Sequence, residues 1–173
     1  MLDFLLNNLV FVVPSYLTTF LLFFGVLIVK LLAPKYRILK PMLTSIDNDA
    51  LFLDKRRLIG DHKPVAGWIM PLIVALVCYS IFGNIVLMLA IAYFSFFGDL
   101  AGSFLKRRLN IEEHKPMLFV DQLSFFLASY AAAFYLGIRI PVNELLLLAA
   151  LTFVVHFSVN FILFVIKLKA KPY

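Results

Sequence analysis

The sequence predicts an all-α, polytopic membrane protein with about five transmembrane helices and two cytoplasmic loops that form a site. Two observations lead there. Of 173 residues, 63% are hydrophobic, and the mean hydropathy is +0.97, far from the make-up of a soluble domain. The polar residues are also not scattered, but gather in two long segments and a tail between apolar runs. The whole chain, 1–173, is therefore expected to form one membrane-embedded unit.

The first apolar run covers about Leu9 to Leu32. At a rise of about 1.5 Å per residue it can cross a hydrocarbon core of about 30 Å. Pro14 is expected to loosen its first turns without stopping it. No cationic stretch precedes the run, so it reads as a retained span rather than a cleaved signal. Residues 33–64 form the longest polar stretch, broken by Pro34, Pro41 and Pro64. Its stretch 42–53 reads as irregular or partly helical, and a loop of this length is usually functional. Apolar runs at about 65–82 and 85–98 are separated by Gly83 and Asn84 alone, a tight turn that makes them a helical hairpin. A second polar segment, 99–122, follows. The last two runs, about 123–138 and 145–166, are joined by a turn containing Arg139, Pro141, Asn143 and Glu144.

Five spans put the termini on opposite faces, and the basic residues choose between the two orientations. Loop 33–64 and its approach carry Lys30, Lys35, Arg37, Lys40, Lys55, Arg56, Arg57 and Lys63. Segment 99–122 carries Lys106, Arg107, Arg108 and Lys115, and the tail Lys167, Lys169 and Lys171. Of the 16 Lys and Arg, only Arg139 falls on the other face. Both loops and the C-terminus are thus expected in the cytoplasm, at the cell membrane, with the N-terminus outside.

Loops that emerge on one face can meet. Together they offer Asp54, Asp61, Asp99 and Asp121 beside Arg56, Arg57, Lys63, Lys106 and Arg107. Asp99 and Asp121 stand where the chain leaves and re-enters the apolar phase, where a carboxylate is costly unless paired or bound to a cation. Acids for a divalent cation next to Lys and Arg for oxyanions suit phosphate chemistry. Mg2+ would take one or two of the carboxylates and complete its shell with phosphates and water.

Each group also has a plainer reading. Lys106-Arg107-Arg108 by itself is what a topology signal and lipid anchor looks like. Asp99 and Asp121 also fit solvated helix caps, and Asp61-His62-Lys63 an ordinary polar turn that leaves His62 unassigned. Glu112 and Glu113 read as solvated at a loop apex. Mid-span His156 shares a helix face with Thr152 and Asn160, which suggests hydrogen bonding between helices. A nucleic-acid partner fits poorly, because no soluble basic domain exists to carry it. Cys78 is the single cysteine, so neither an intramolecular disulfide nor a thiol metal cluster is expected.

The segment 98–124 resembles the signature of cytidylyltransferases that make CDP-activated lipids: Ser-x-x-Lys-Arg, a loop, then Asp-Arg/Gln-x-Asp. The matching residues are Ser103, Lys106, Arg107, Asp121 and Gln122, preceded by Gly98-Asp99. The upstream pattern Asp54-x-Arg56-Arg57-x-x-Gly60-Asp61-x-Lys63-x-x-x-Gly67 is similar to that of the CDP-archaeol synthase family, archaeal relatives of CDP-diacylglycerol synthases. Two separated motifs agree, which makes the resemblance specific.

It implies transfer of CMP from CTP to an unsaturated archaeal ether-lipid phosphate of the geranylgeranyl type, in a membrane, with release of pyrophosphate and Mg2+ as cofactor. It implies further that Asp99 and Asp121 hold or orient the metal, Asp99, Lys106 and Asp121 being the catalytic set. Lys106, Arg107, Lys63, Arg56 and Arg57 would neutralise phosphates, Ser103 and Gln122 would position them, and Asp54, Gly60 and Asp61 would complete the substrate-binding loop. Two departures stand out. Lys63-Pro64-Val65-Ala66-Gly67 replaces the family's Lys-Thr-x-Arg-Gly, and Ser124 stands where a second Asp is usual.

Two other classes are weaker fits. A small membrane transporter calls for ionisable groups at the midplane, where only His156 and its polar neighbours stand. A non-catalytic protein binding anionic lipid through its basic loops would leave the acids dispensable.

Overall fold

The computed structural model describes residues 2–61, 63–111, 115, 117 and 119–168. His62, Glu112, Glu113, Lys169 and Lys171, on which expectations were stated above, lie outside the described residues. Among the described residues there are five α-helices and no strand: α1 Leu2–Leu32, α2 Ile69–Phe82, α3 Ile85–Arg108, α4 Val120–Tyr135 and α5 Val142–Val165. Short 3-10 turns occupy Arg37–Leu43 and Val65–Trp68. Among the described residues, four segments are long and apolar enough to cross a membrane: Asn8–Leu32, Val65–Phe82, Ile85–Arg108 and Val142–Val165. Helix α4, with 16 residues, reaches about 24 Å at the α-helical rise and falls short of that length.

The hydropathy pattern places the helices well and their ends less well. Helix α1 begins at Leu2 rather than near Leu9, and it runs through Pro14. The Thr18 hydroxyl bonds the Pro14 carbonyl at 2.8 Å, and the Ser15 hydroxyl the Phe11 carbonyl, also at 2.8 Å. The largest correction concerns segment 99–122, whose first ten positions were expected as loop. They continue helix α3 to Arg108, so the connection to α4 is only 109–119. Apolar content ends near Phe97, but helix propensity does not: Leu100, Ala101, Leu105, Lys106 and Arg107 all favour helix. The basic residues Lys106, Arg107 and Arg108 in the last turn suit the negative end of the helix dipole. Hydropathy marks where the lipid-soluble part stops, which is not where backbone hydrogen bonding stops.

The hairpin between α2 and α3 is as expected. Gly83 adopts φ +76°, and the Asn84 side chain caps α3 by accepting the Leu87 amide at 3.1 Å. Helix α3 is the centre of the bundle, packing on α1, α2 and most extensively on α4. The α3–α4 crossing is close because Gly98 and Gly102 face α4. A methyl added at Gly98 would lie 2.3 Å from the Ser124 carbonyl oxygen, and one at Gly102 would lie 2.9 Å from the Ser124 hydroxyl. This is a small-xxx-small contact of the kind membrane helices use to bring backbones together.

Phe11, Val74, Cys78, Met88, Ile91 and Phe126 fill the core between α1, α2, α3 and α4. Polar contacts also cross between helices. The Ser15 and Ser129 hydroxyls lie 3.0 Å apart, and the Tyr16 and Thr152 hydroxyls share a hydrogen bond. His156 lies edge-on to Phe125, with ring centroids 5.8 Å apart. The Thr152 face of α5 therefore does bond a neighbouring helix.

Candidate active site

The long polar segment after α1 is a folded strap. The Ile46 amide bonds the Lys63 carbonyl at 2.8 Å and the Val65 amide the Thr44 carbonyl at 2.9 Å, closing its two ends against each other. Asp47 holds its centre. The carboxyl is 1% exposed, and it accepts the Arg57 guanidinium at 2.7 Å, the Ile59 amide at 2.9 Å, the Gly60 amide at 3.0 Å and the Ser45 hydroxyl. Burial pushes this carboxyl up, but the Arg57, Ser45, Ile59 and Gly60 donors outweigh burial and hold it well below the usual carboxylate range. The Asp47 carboxylate in turn raises the Arg57 guanidinium above its ordinary value. Gly60 sits at φ +112°, a conformation that L side chains rarely adopt.

Arg57 also reaches Asp49 at 2.6 Å and Asp61 at 2.9 Å. Its charge is thus matched inside its own loop, where it braces the strap. Asp61 faces Arg57 from the strap's return limb.

A second set of contacts fastens the strap to the end of α3. The Arg108 guanidinium bonds Asp54 at 2.6 Å and the Arg57 carbonyl at 2.5 Å, and lies over the rings of Phe52 and Phe104 at 4.8 and 4.9 Å. Arg56 reciprocates by donating to the last α3 carbonyls, at 3.4 Å from Arg107 and 3.3 Å from Arg108. The Arg107 carbonyl also accepts the Asn110 amide at 3.2 Å, so Arg56 adds a side-chain cap to the backbone closure of the helix end. Arg107 reaches the Ile59 carbonyl at 3.4 Å and the Ile111 carbonyl at 3.0 Å, tying the strap to the second loop.

The third set runs along α3 itself. Asp99, Ser103 and Lys106, spaced i, i+4 and i+7, share one face of the helix. Lys63, from the end of the strap, forms an ion pair with Asp99. Lys106 bonds both oxygens of Asp121, at 3.1 and 3.0 Å, and the Met117 amide donates to the same carboxylate at 2.8 Å. Ser103 donates its hydroxyl proton to the Asp99 carbonyl at 3.1 Å, within the helix. Gln122 is 3% exposed, and its Oε1 has no hydrogen-bond partner among the described residues.

The candidate residues thus fall into a strap core (Arg57, Gly60, Asp61), a clamp at the end of α3 (Asp54, Arg56, Arg107), and two acid–lysine pairs on α3 and α4 with Ser103 and Gln122 beside them. Asp47 and Arg108 organise the first two groups, and neither stood out in the sequence. Asp47 lies in an Asp-Asn-Asp run that looks like turn chemistry, and Arg108 is indistinguishable from its basic neighbours. The Gly98-x-x-x-Gly102 spacing, which marks the α3–α4 contact, likewise did not stand out in the sequence as a packing motif.

The donor set suits Mg2+. Asp99 and Asp121 are 32% and 30% exposed, hence reachable, and both are hard oxygen donors. Among the described residues no three His, Cys, Asp or Glu converge on one point. A closed protein cage is not what this ion needs, since it takes one or two carboxylates and keeps water and substrate phosphate.

The fold and this array of paired acids and bases at one end of an apolar bundle are those of a multi-pass membrane protein with groups suited to phosphate chemistry. The family model described as CarS-like, CDP-archaeol synthase, matches residues 1–173, and the chain belongs to that family. It is 33% identical over 135 residues to the CDP-archaeol synthase of Aeropyrum pernix, covering 74% of this chain and 78% of that protein. It is 32% identical over 140 residues to the one from Saccharolobus islandicus, covering 75% and 82%. A solved structure, described as an intramembrane enzyme for archaeal membrane lipids biosynthesis, superposes with a TM-score of 0.69. The match is at 26% identity and covers 90% of this chain and 93% of that one.

Proposed function

We propose that the chain transfers CMP from CTP to an unsaturated, geranylgeranyl-type ether-lipid phosphate, releasing pyrophosphate and forming the CDP-lipid at the cytoplasmic face of the membrane. The observation that carries this reading is the pair of acid–lysine contacts, Lys63–Asp99 and Lys106–Asp121. They set two carboxylates and two ammonium groups along the loop end of α3, where a water-soluble nucleotide and a membrane-borne phosphate can both arrive. The basic loops favour the cytoplasmic placement of this end and of the C-terminus.

In the reaction a lipid-phosphate oxygen forms a bond to the α-phosphorus of CTP. The bond from that phosphorus to the β-phosphate bridging oxygen breaks, and pyrophosphate carries away the electron pair. No side chain is needed as a general base, because a phosphate monoester is largely dianionic above its second pKa of about 6. Asp99 and Asp121 would hold Mg2+, which when bound offsets charge on the phosphoryl oxygens and leaving group. Lys63 and Lys106 neutralise the triphosphate and the attacking phosphate, and Arg107 extends that field towards the second loop. Ser103 and Gln122 help position the phosphates. The strap braced by Asp47 and Arg57 fixes where Lys63 stands, while Asp54, Arg56, Gly60 and Asp61 keep it in register with α3. Ser124 offers a hydroxyl rather than a second carboxylate, so on α4 only Asp121 would hold the metal.

The test is incubation of the detergent-solubilised protein with CTP labelled at the α-phosphate, Mg2+, and either geranylgeranyl-ether or diacyl lipid phosphate. Label is expected in the lipid fraction with the ether substrate. No labelled lipid with either one would sink the reading.

A further inference from the structure

Both carboxylates assigned to the metal are already held by an ammonium group. Lys106 Nζ lies 3.1 and 3.0 Å from the two oxygens of Asp121, so it bridges the carboxylate. The Met117 amide, at 2.8 Å, takes up further acceptor capacity. Lys63 makes the matching contact with Asp99. Mg2+ binds oxygen at about 2.0–2.1 Å, so an ammonium bridging the same oxygens falls inside the space the ion and its inner ligands require. The ammonium and the ion therefore compete for the same oxygens, and like charges so close repel strongly. Lys106 is only 13% exposed, so it cannot simply retreat into water. The converse also holds: an ammonium whose charge is matched by a carboxylate attracts a phosphate less strongly.

We propose that Lys63 and Lys106 are exchange cations that keep divalent metal off Asp99 and Asp121 until a triphosphate draws them away, which makes metal and nucleotide bind as a coupled pair. This rests on the reading of Asp99 and Asp121 as the metal carboxylates. Metal alone would leave displaced ammonium groups beside a dication, and nucleotide alone would set phosphates against carboxylates. When both arrive, carboxylates pass from lysine to metal, lysines pass from carboxylate to phosphate, and every charge stays paired. Lys63 and Lys106 thereby act in binding order as well as in neutralising phosphate, a role beyond charge stabilisation.

The test is Mn2+ binding to the full chain in detergent, read by electron paramagnetic resonance. It is done without nucleotide and with a CTP analogue carrying a methylene between the α- and β-phosphates, after correction for the complex Mn2+ forms with the analogue in solution. Wild type is expected to bind Mn2+ on the order of tenfold more tightly with the analogue, a coupling of ordinary size. Lys106→Met is expected to bind Mn2+ alone about tenfold more tightly than wild type, with the coupling reduced accordingly. Lys106→Arg keeps the cation and should bind Mn2+ alone no more tightly than wild type, which guards against a packing effect of the methionine.

Equal Mn2+ affinity with and without the analogue in wild type would overturn the exchange while leaving the metal assignment standing. No tightening in Lys106→Met would do the same. If wild type binds no Mn2+ in either condition and still labels lipid in the presence of a chelator, the metal assignment fails and the exchange falls with it.

Discussion

Replacing Gly98 by Ala tests how closely the chemistry depends on the α3–α4 crossing. The added methyl would stand 2.3 Å from the Ser124 carbonyl oxygen, 2.7 Å from Ala128 Cβ and 2.8 Å from Phe125 Cα. Two of these three neighbours are backbone atoms and cannot swing aside. Real Cβ contacts are rarely closer than about 3.4 Å, so α4 must retreat by about 1 Å. Overpacking of this kind costs about 1–3 kcal/mol. Asp121 lies one turn before Ser124 on α4 and moves with it, stretching the 3.0 Å contact with Lys106 beyond hydrogen-bonding range. A misplacement of about 1 Å at reacting groups costs on the order of a hundredfold in rate.

Gly98→Ala is therefore expected to lower the Tm in detergent and to cut label transfer from CTP to lipid about a hundredfold. Gly25→Ala is the matched control. Its methyl also meets an atom at 2.3 Å, but that atom is the Met70 sulfur, the end of a flexible thioether that can rotate away. It should leave activity within about twofold. Full activity and an unchanged Tm in Gly98→Ala would refute the claim that this crossing sets the Lys106–Asp121 geometry.

Other expectations follow from the strap. Arg108→Ala removes the Asp54 pair and the stack on Phe52 and Phe104, so amide exchange across the segment 50–60 should accelerate, with a rise in KM for CTP. Because Asp54 is more than a third exposed, most of that effect belongs to the aromatic stack and the carbonyl contacts, and Arg108→Lys should rescue little of it. Asp47 has a folded pKa below its unfolded value, so its stabilisation is complete above about pH 4 and is lost as pH falls towards the folded value. Limited proteolysis of the strap should be the same at pH 5 and pH 7 and increase only below about pH 4, whereas Asp47→Asn should be cut readily at every pH. Ser124→Asp, which supplies the acid that the family pattern carries, should lower the Mg2+ concentration needed for half-maximal activity, measured by metal titration.

How much of this was legible in the sequence depends on the range of the interaction. The apolar runs and the Gly83-Asn84 turn are local, and they place the helices with errors only at the ends. The extension of α3 to Arg108 was hidden because hydropathy falls before helix propensity does. Lys63, Asp99, Lys106 and Asp121 could be picked out by residue type and by family pattern, but not paired. Lys63 meets Asp99 across 36 positions and Lys106 meets Asp121 across 15, distances that only the antiparallel packing and the folded strap close. Arg57 looked like a phosphate ligand by composition. Its three carboxylate partners became visible only once the strap folded back on Asp47.

The central claim is that the two acid–lysine pairs carry the transfer of CMP. The direct measurement is label transfer from CTP to geranylgeranyl-ether lipid phosphate by Lys63→Met, Asp99→Asn, Lys106→Met and Asp121→Asn, with Arg139→Ala as the control and helix content checked for each. Each of the four is expected to lose on the order of a hundredfold or more, while Arg139→Ala retains full activity. Wild-type rates in folded Asp99→Asn and Asp121→Asn would contradict the account.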